Sequence, residues 1–322
     1  MTVIDLHHVR PIALDELVND PTVRDLLVND GCRVYVDAGH GLTLVGSTTE
    51  AQTRAFVERE LRTSGRRIDR TSPIVDARLR DGSRLCAVIP PIAFRGTRVA
   101  VRRFTLPNVT VAHFGGSELE DLMKEIVNRR CNVIVTGAAG AGKTTFAHAF
   151  CSLVDRHERI VTIEDTAELS LTHPHVVSLE SQPPNLEGNG AISVATLLRT
   201  ALRMRPDRLV VGEVRGAEVL DMLAAMNTGH SGSLSTCHAN SPLDAIRRLE
   251  SLVLQHGAKW TPDGAREHLR AALDVCVHVS RHSDGTRVVD SVVELPLSQH
   301  HVFVEVYRDG RRSGALTRGV VS

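Results

Sequence analysis

Lysine is nearly missing from this chain. Only Lys124, Lys143 and Lys259 stand among its 38 basic residues, and the other 35 are arginines. A lysine kept in such a chain marks a place that needs a compact ammonium in place of a planar guanidinium fork. Aromatic rings are also scarce, at seven Phe, two Tyr and one Trp, and basic and acidic residues balance at 38 each. Single-stranded nucleic acid is gripped by basic grooves with stacking rings, so both counts speak against it as a partner. No run of about 18 apolar residues appears, so no helical membrane span is expected. The opening MTVIDLHHVR lacks the apolar stretch of a secretory leader. Six scattered cysteines with no C-x-x-C pair argue against a zinc ribbon or disulfide scaffold and for reduced thiols in the cytosol.

What is present is ordinary globular material: 322 residues, 42% hydrophobic, enough for two domains. Residues 1–105 read as an α+β domain. It has a helix near 13–28, a hairpin of 33–37 with 42–46 around Gly39-His40-Gly41, and a helix opened by a capping box at Ser47-Thr48-Thr49-Glu50 and closed by Gly65. Strand-like runs follow at 74–79, 84–89 and 97–104. Residues 106–116, with Pro107, Gly115 and Gly116, read as a linker. From 117 to 322 the pattern alternates helix and strand, which implies a mostly parallel sheet covered on both faces. Ser117 and Glu120 are expected to cap the first of these helices.

The sharpest feature is Gly137-Ala138-Ala139-Gly140-Ala141-Gly142-Lys143-Thr144, followed by Thr145. It fits G-x-x-x-x-G-K-[ST] between a β-branched run and a helix, a phosphate-binding loop in its proper context. Glycines let successive N–H groups turn inward around phosphate oxygens, and the helix N-terminus adds positive charge. Lys143 reaches the β- and γ-phosphates in this reading, and the Thr144 hydroxyl binds Mg²⁺. Chance gives roughly 0.002 matches at this composition. The glycines are not spaced as a dinucleotide fingerprint.

Hydrolysis also needs a carboxylate to position water. Leu209-Val210-Val211-Gly212-Glu213 places an acid at the end of a buried strand, and Val161-Thr162-Ile163-Glu164-Asp165 repeats the arrangement, with Glu168 a turn later. Glu213 suits a Walker B role, holding Mg²⁺ through its water shell or orienting the attacking water, on a strand expected beside the phosphate loop. His230 and His238 flank a further strand. Their spacing does not make a zinc site, and it leaves open whether either senses phosphate or is structural.

The ordered motifs resemble the type II/type IV secretion-system ATPase superfamily, with closest likeness to its Tad (tight-adherence, Flp pilus) branch. The resemblance rests on SPIVDARLRDGSRL, PPIAFRGTRVAVRRF, GAAGAGKTT, IEDTAEL, LLRTALRMRPDRLVVGEVRG and NTGHSGSLSTCHANSPLDAIRRLE, which cover residues 73–250. It implies an α/β fold: a RecA-like P-loop NTPase domain with a smaller α+β N-terminal domain. It implies ATP and Mg²⁺ as cofactors. Glu164 becomes the catalytic glutamate, Glu213 the Walker B acid, His230 and His238 the His-box pair, and Arg84 and Arg102 the arginines of the N-terminal domain that complete the site. Arg199, Arg203 and Arg215 lie in matched motifs without assigned roles. The family forms homo-hexameric rings, works by interdomain motion and docks on an inner-membrane platform protein. That places the chain in the cytoplasm, peripheral to the inner face of the membrane. The missing tetracysteine insertion favours the Tad or conjugative branches. A longer helical N-terminal extension, common in Tad relatives, is not seen here. A nucleotide-dependent assembly factor with little turnover, or a nucleic-acid motor, are the alternatives.

Overall fold

Pro21 ends the first helix. Its ring cannot follow a helical turn and it pushes Asp20 toward extended geometry; Asp20 has φ −75° and ψ 116°. In the computed structural model, α1 therefore covers only Leu14–Asn19, and residues expected to continue it form strand β1, Asp25–Asn29. The structure describes residues 10–39, 41–62, 65–103, 109–184, 189–297 and 303–319. The chain divides into two compact units, Met1–Thr105 and Leu106–Ser322.

In the first unit, β2 (Arg33–Asp37) and β3 (Leu42–Ser47) form the expected hairpin; His40 at its turn lies outside the described residues. Helix α2 (Glu50–Leu61) starts two residues later than expected: Thr49 is its N-cap and Gln52 completes the box. Ser47 is instead paired with Arg33 in the sheet. Glu50 turns away, its carboxylate accepting from the Thr97 N–H at 2.9 Å and the Thr97 hydroxyl at 2.5 Å. The helix also closes before Gly65, with residues 63 and 64 outside the described residues. Strands β4 (Ile74–Arg78), β5 (Arg84–Val88) and β6 (Arg98–Arg102) complete an antiparallel sheet of order β3-β2-β1-β6-β5-β4. Alternation puts Leu26, Val28, Leu85, Ala87, Val99 and Val101 inward on Phe56 and Val57 of α2.

The second unit begins sooner than a linker running to 116 allows. Residues 106–108 lie outside the described residues, but Val111–Phe114 form a 3₁₀ turn with Val111 and Phe114 buried in this unit's core. That turn runs straight into α3 (Gly116–Asn128), so Gly115, not Ser117, stands at the N-cap. The Tyr307 hydroxyl donates to the Gly115 carbonyl at 3.1 Å and fills the space a Cβ there would take.

The remaining elements are β7 (Val133–Gly137), α4 (Lys143–Cys151), β8 (Ile160–Glu164), β9 (Val176–Glu180), α5 (Val194–Ala201), β10 (Arg208–Val211), α6 (Glu218–Asn227), β11 (Leu234–His238), α7 (Pro242–His256), α8 (Pro262–Ala272), β12 (Val275–Arg281), β13 (Arg287–Glu294), β14 (Val304–Arg308) and β15 (Arg311–Arg312). The sheet order is β15-β14-β13-β12-β7-β11-β10-β8-β9. Strands β12, β7, β11, β10, β8 and β9 are parallel, and β13 to β15 add an antiparallel extension. Fully buried runs such as Val133–Gly137 and Ile160–Glu164 match a sheet covered on both faces. One face packs on α3 and α4, the other on α5 to α8. The result is the α/β architecture expected, with the carboxyl ends of the parallel strands opening on one edge.

Candidate active site

Three glycines bend the chain between β7 and α4. Gly137, Gly140 and Gly142 have φ of +156°, +74° and +101°, the last two left-handed positions that a side chain resists. At Gly137 the reason is contact: a Cβ would collide with the Val279 carbonyl of β12. Gly142 is the N-cap of α4 and no side chain caps the helix, so its first N–H groups remain for an anion.

Lys143 is buried and curls back into the loop. Its ammonium donates to the carbonyls of Gly137 and Ala138, both at 3.1 Å, and lies 3.0 Å from His238 Nδ1. Burial lowers the Lys143 pKa, opposed by the nearby Glu213. His238 is pushed down by burial and then by the Lys143 charge. A neutral ring accepting from Lys143 at Nδ1 carries its proton on Nε2. That nitrogen sits 3.0 Å from Glu213 Oε1, at ion-pair distance, although Oε1 has no aligned hydrogen-bond donor.

The sequence expectation needs one correction here. β10, which delivers Glu213, is not beside β7: β11 is inserted between them. His238, at the end of β11, therefore stands between the lysine and the acid. Strand order depends on long-range pairing that local patterning does not encode. Arg215 also joins the site, its Nε donating to Glu213 Oε2 at 2.8 Å, while its own N–H is held by Glu218 Oε1 at 2.6 Å.

Glu164 comes from β8, one strand beyond. Its Oε1 accepts from the N–H groups of Glu168 at 3.0 Å and Leu169 at 3.1 Å. Burial raises its pKa to about 7 against those hydrogen bonds. Glu168 turns to the phosphate loop, where Thr144 Oγ1 donates to its Oε2 at 3.3 Å. Thr144, Glu213 and Glu168 are hard oxygen donors of the kind Mg²⁺ takes one or two at a time beside phosphate and water. Among the described residues no group of three or more His, Cys, Asp or Glu forms a metal cage.

His230 is not brought to this edge. Its carbonyl accepts from Ser233 Oγ at 2.6 Å, and the N–H groups of Gly232 and Ser233 bond Asn132 Oδ1 before β7 begins. Those anchors belong to the opposite end of the sheet, a five-residue strand from His238, roughly 13 Å. Arg199 pairs with Asp221 at 3.2 Å on α5 and α6; Arg203 lies on the 3₁₀ turn Leu202–Met204. Arg84 and Arg102 belong to the first unit, directly opposite each other on β5 and β6. A cavity of about 360 Å³ beside the loop, lined by Ala138, Ala139, His238, Ala239, Asn240, Asp244 and Arg248, had no signal in the sequence.

A parallel sheet whose central strand turns through this loop into a helix, with Lys143 at the turn and acids from other strands at the same edge, defines a P-loop NTPase. Residues 10–294 match the family model described as "Type II/IV secretion system protein". The chain belongs to that family. It is similar to a putative conjugal transfer protein of Mycobacterium tuberculosis, 40% identical over 304 residues that cover 90% of this chain and 85% of that protein. It also resembles the conjugal transfer protein TrbB of Rhizobium radiobacter, 30% identical over 305 residues, 92% and 90% of the two chains. The fold is shared with the pilus retraction motor PilT, at TM-score 0.63 and 21% identity over 87% and 80% of the chains. Legionella pneumophila DotB shares it too, at TM-score 0.61 and 18% identity over 88% and 80%.

Proposed function

We propose that the chain is the Mg²⁺-dependent, ATP-hydrolysing subunit of a homo-hexameric ring that drives a Tad/Flp-type pilus from the inner face of the cytoplasmic membrane, against a platform protein there. The observation that carries the chemistry is the linked set Lys143–His238–Glu213, with Glu164 buried at the same sheet edge. On nucleotide binding, Lys143 exchanges two carbonyls for phosphate oxygens, and residues 137–145 give their N–H groups to the triphosphate. Bound Mg²⁺ would neutralise phosphate charge, held by Thr144 and Glu213. Glu164, with a pKa near 7, is suited to orient water and take its proton. His238 relays the state of Lys143 to Glu213 through its two ring nitrogens.

Arg84 and Arg102 are proposed to bring further positive charge to the phosphates. Like charges directly across a strand pair destabilise a sheet, yet Arg78, Arg84 and Arg102 stand in one row over β4, β5 and β6. Asp76 lies 3.2 Å from Arg84, and Asp25, opposite Arg102 on β1, lies 3.9 Å from it. A row of this kind favours an anionic ligand. Cycles of binding and release would then move one unit on the other.

Lys143→Ala and Glu213→Ala should each abolish steady-state phosphate release; unchanged turnover in both would refute the motor reading. The 40% identical relative described as a putative conjugal transfer protein favours a second reading, DNA-transfer secretion instead of a pilus. Deleting the gene in its host separates the two: loss of surface pili supports the first, loss of plasmid transfer with pili intact the second.

A further inference from the structure

The cavity beside the phosphate loop has walls of unequal chemistry. Ala138, Ala139 and Ala239 are too small to fill it. His238 and Asn240 continue from the end of β11, and one turn of α7 contributes Asp244 and Arg248. The space exists because three alanines leave it open. Of its charged groups, Arg248 alone is cationic at neutral pH.

Around it the other cations of the site are already engaged. Lys143 is held by two carbonyls and His238, and Arg215 is held by Glu213. Arg248 makes no hydrogen bond or ion pair among the described residues. Asp244 precedes it by four residues, the spacing and order that favour a helical ion pair, but Asp244 is committed elsewhere: Ser241 Oγ donates to its Oδ2 at 2.8 Å within the α7 cap. The guanidinium is thus an uncommitted fork at a cavity walled by the loop residues Ala138 and Ala139. Its charge is felt at His238, where it helps lower the pKa.

We propose that Arg248 reads the terminal phosphate, reaching from α7 across this cavity to the γ-phosphate of a nucleoside triphosphate and finding nothing equivalent to hold on a diphosphate. This rests on the nucleotide reading of the loop and adds to it the residue that separates tri- from diphosphate. An arginine fork matches phosphate oxygens in bidentate fashion, and no existing bond has to break for it to do so. The same motion would bring the cation toward His238, so that occupancy of the γ-position reaches the Lys143–His238–Glu213 set from a second side.

Calorimetric titration of the full chain with Mg²⁺ and either a non-hydrolysable β,γ-imido triphosphate or ADP tests it. Arg248→Ala should weaken the triphosphate about ten-fold or more while ADP stays within about two-fold. Arg248→Lys, which keeps charge and loses the fork, should fall between. Lys143→Ala should weaken both nucleotides, which marks the loop's own contribution. Unchanged triphosphate affinity in Arg248→Ala, or equal loss for both nucleotides, would overturn the proposal while leaving the loop reading intact. Wild-type protein that binds neither nucleotide would overturn the loop reading, and this inference with it.

Discussion

Gly212 makes room for Glu164. A Cβ at Gly212 would lie 2.8 Å from Glu164 Cγ and 3.4 Å from its Oε1, so the glycine before Glu213 fixes where the other glutamate can stand. The contact is with the Glu164 side chain itself, not with a replaceable neighbour. Gly212→Ala should therefore displace Glu164 from the Glu168 and Leu169 N–H groups. We expect at least a ten-fold loss of turnover, in the range general-base positioning supplies, with about 1–3 kcal/mol of destabilisation from overpacking. Phosphate release and a thermal melt on one preparation check both; full activity would show that the glutamate's position is not needed.

Glu164 also gives the site a pH dependence of known sign. Its folded pKa is raised from 4.5 to about 7, by burial first. Between those values the native protein binds the proton that the unfolded chain releases, so this group's contribution to stability declines as pH rises from about 4.5 to 7 and is flat beyond. Activity runs the other way: if ionised Glu164 takes the proton from water, kcat/KM climbs through pH 7. Glu164→Gln should flatten the rise and remove the stability slope across the same window. A rise that survives in the Gln variant would assign it to another group.

The chemistry was more legible in the sequence than the geometry. Glycine spacing around Lys143 states a backbone requirement that only a phosphate loop makes, and acids after apolar runs announced Glu164 and Glu213 because strand ends are local features. Strand order is not local. Nothing near residue 234 says that β11 enters between β7 and β10, and without that His230 and His238 look alike although strand direction sends them to opposite edges. Short-range choices between competing caps were equally closed: Thr49 outdid Ser47 because Ser47 is needed in a sheet, and Gly115 outdid Ser117 because Tyr307 packs on it. Arg248 reads as one more solvated helix charge until the cavity shows what lies opposite.

The paired arginines of the first unit make a prediction that separates function from fold. Arg84 and Arg102 are exposed, at 47% and 71% of their side-chain surface, and each stands against a like charge. Replacing either with Ala relieves repulsion and gives up at most a weak surface pair, so stability should stay within about 0.5 kcal/mol of the parent or rise. Turnover should nevertheless fall about ten-fold or more if the guanidinium steadies phosphate charge. Melting and hydrolysis measured together decide it. Loss of both would make these residues structural, and loss of neither would leave the arginine row without a part in hydrolysis.

Arg208 is the contrasting case, an arginine whose part is purely structural. It is 3% exposed at the start of β10. Its guanidinium meets Glu158 Oε1 at 3.0 Å and donates to the Val127 carbonyl at 3.0 Å and the Gly232 carbonyl at 3.4 Å. It ties the ends of α3, β8 and β11 together at the edge opposite the phosphate loop. Glu158 keeps Arg130 at 2.7 Å and the Val127 carbonyl keeps the Arg130 N–H at 3.0 Å, so removing Arg208 leaves both partly compensated but takes the donor from the buried Gly232 carbonyl. Arg208→Met should cost about 3 kcal/mol, seen as a lower urea midpoint at unchanged slope. The folded fraction should hydrolyse ATP at the parent rate, since no atom of Arg208 faces the nucleotide edge. A drop in turnover per folded molecule would show that strain at this end of the sheet is transmitted to Glu213.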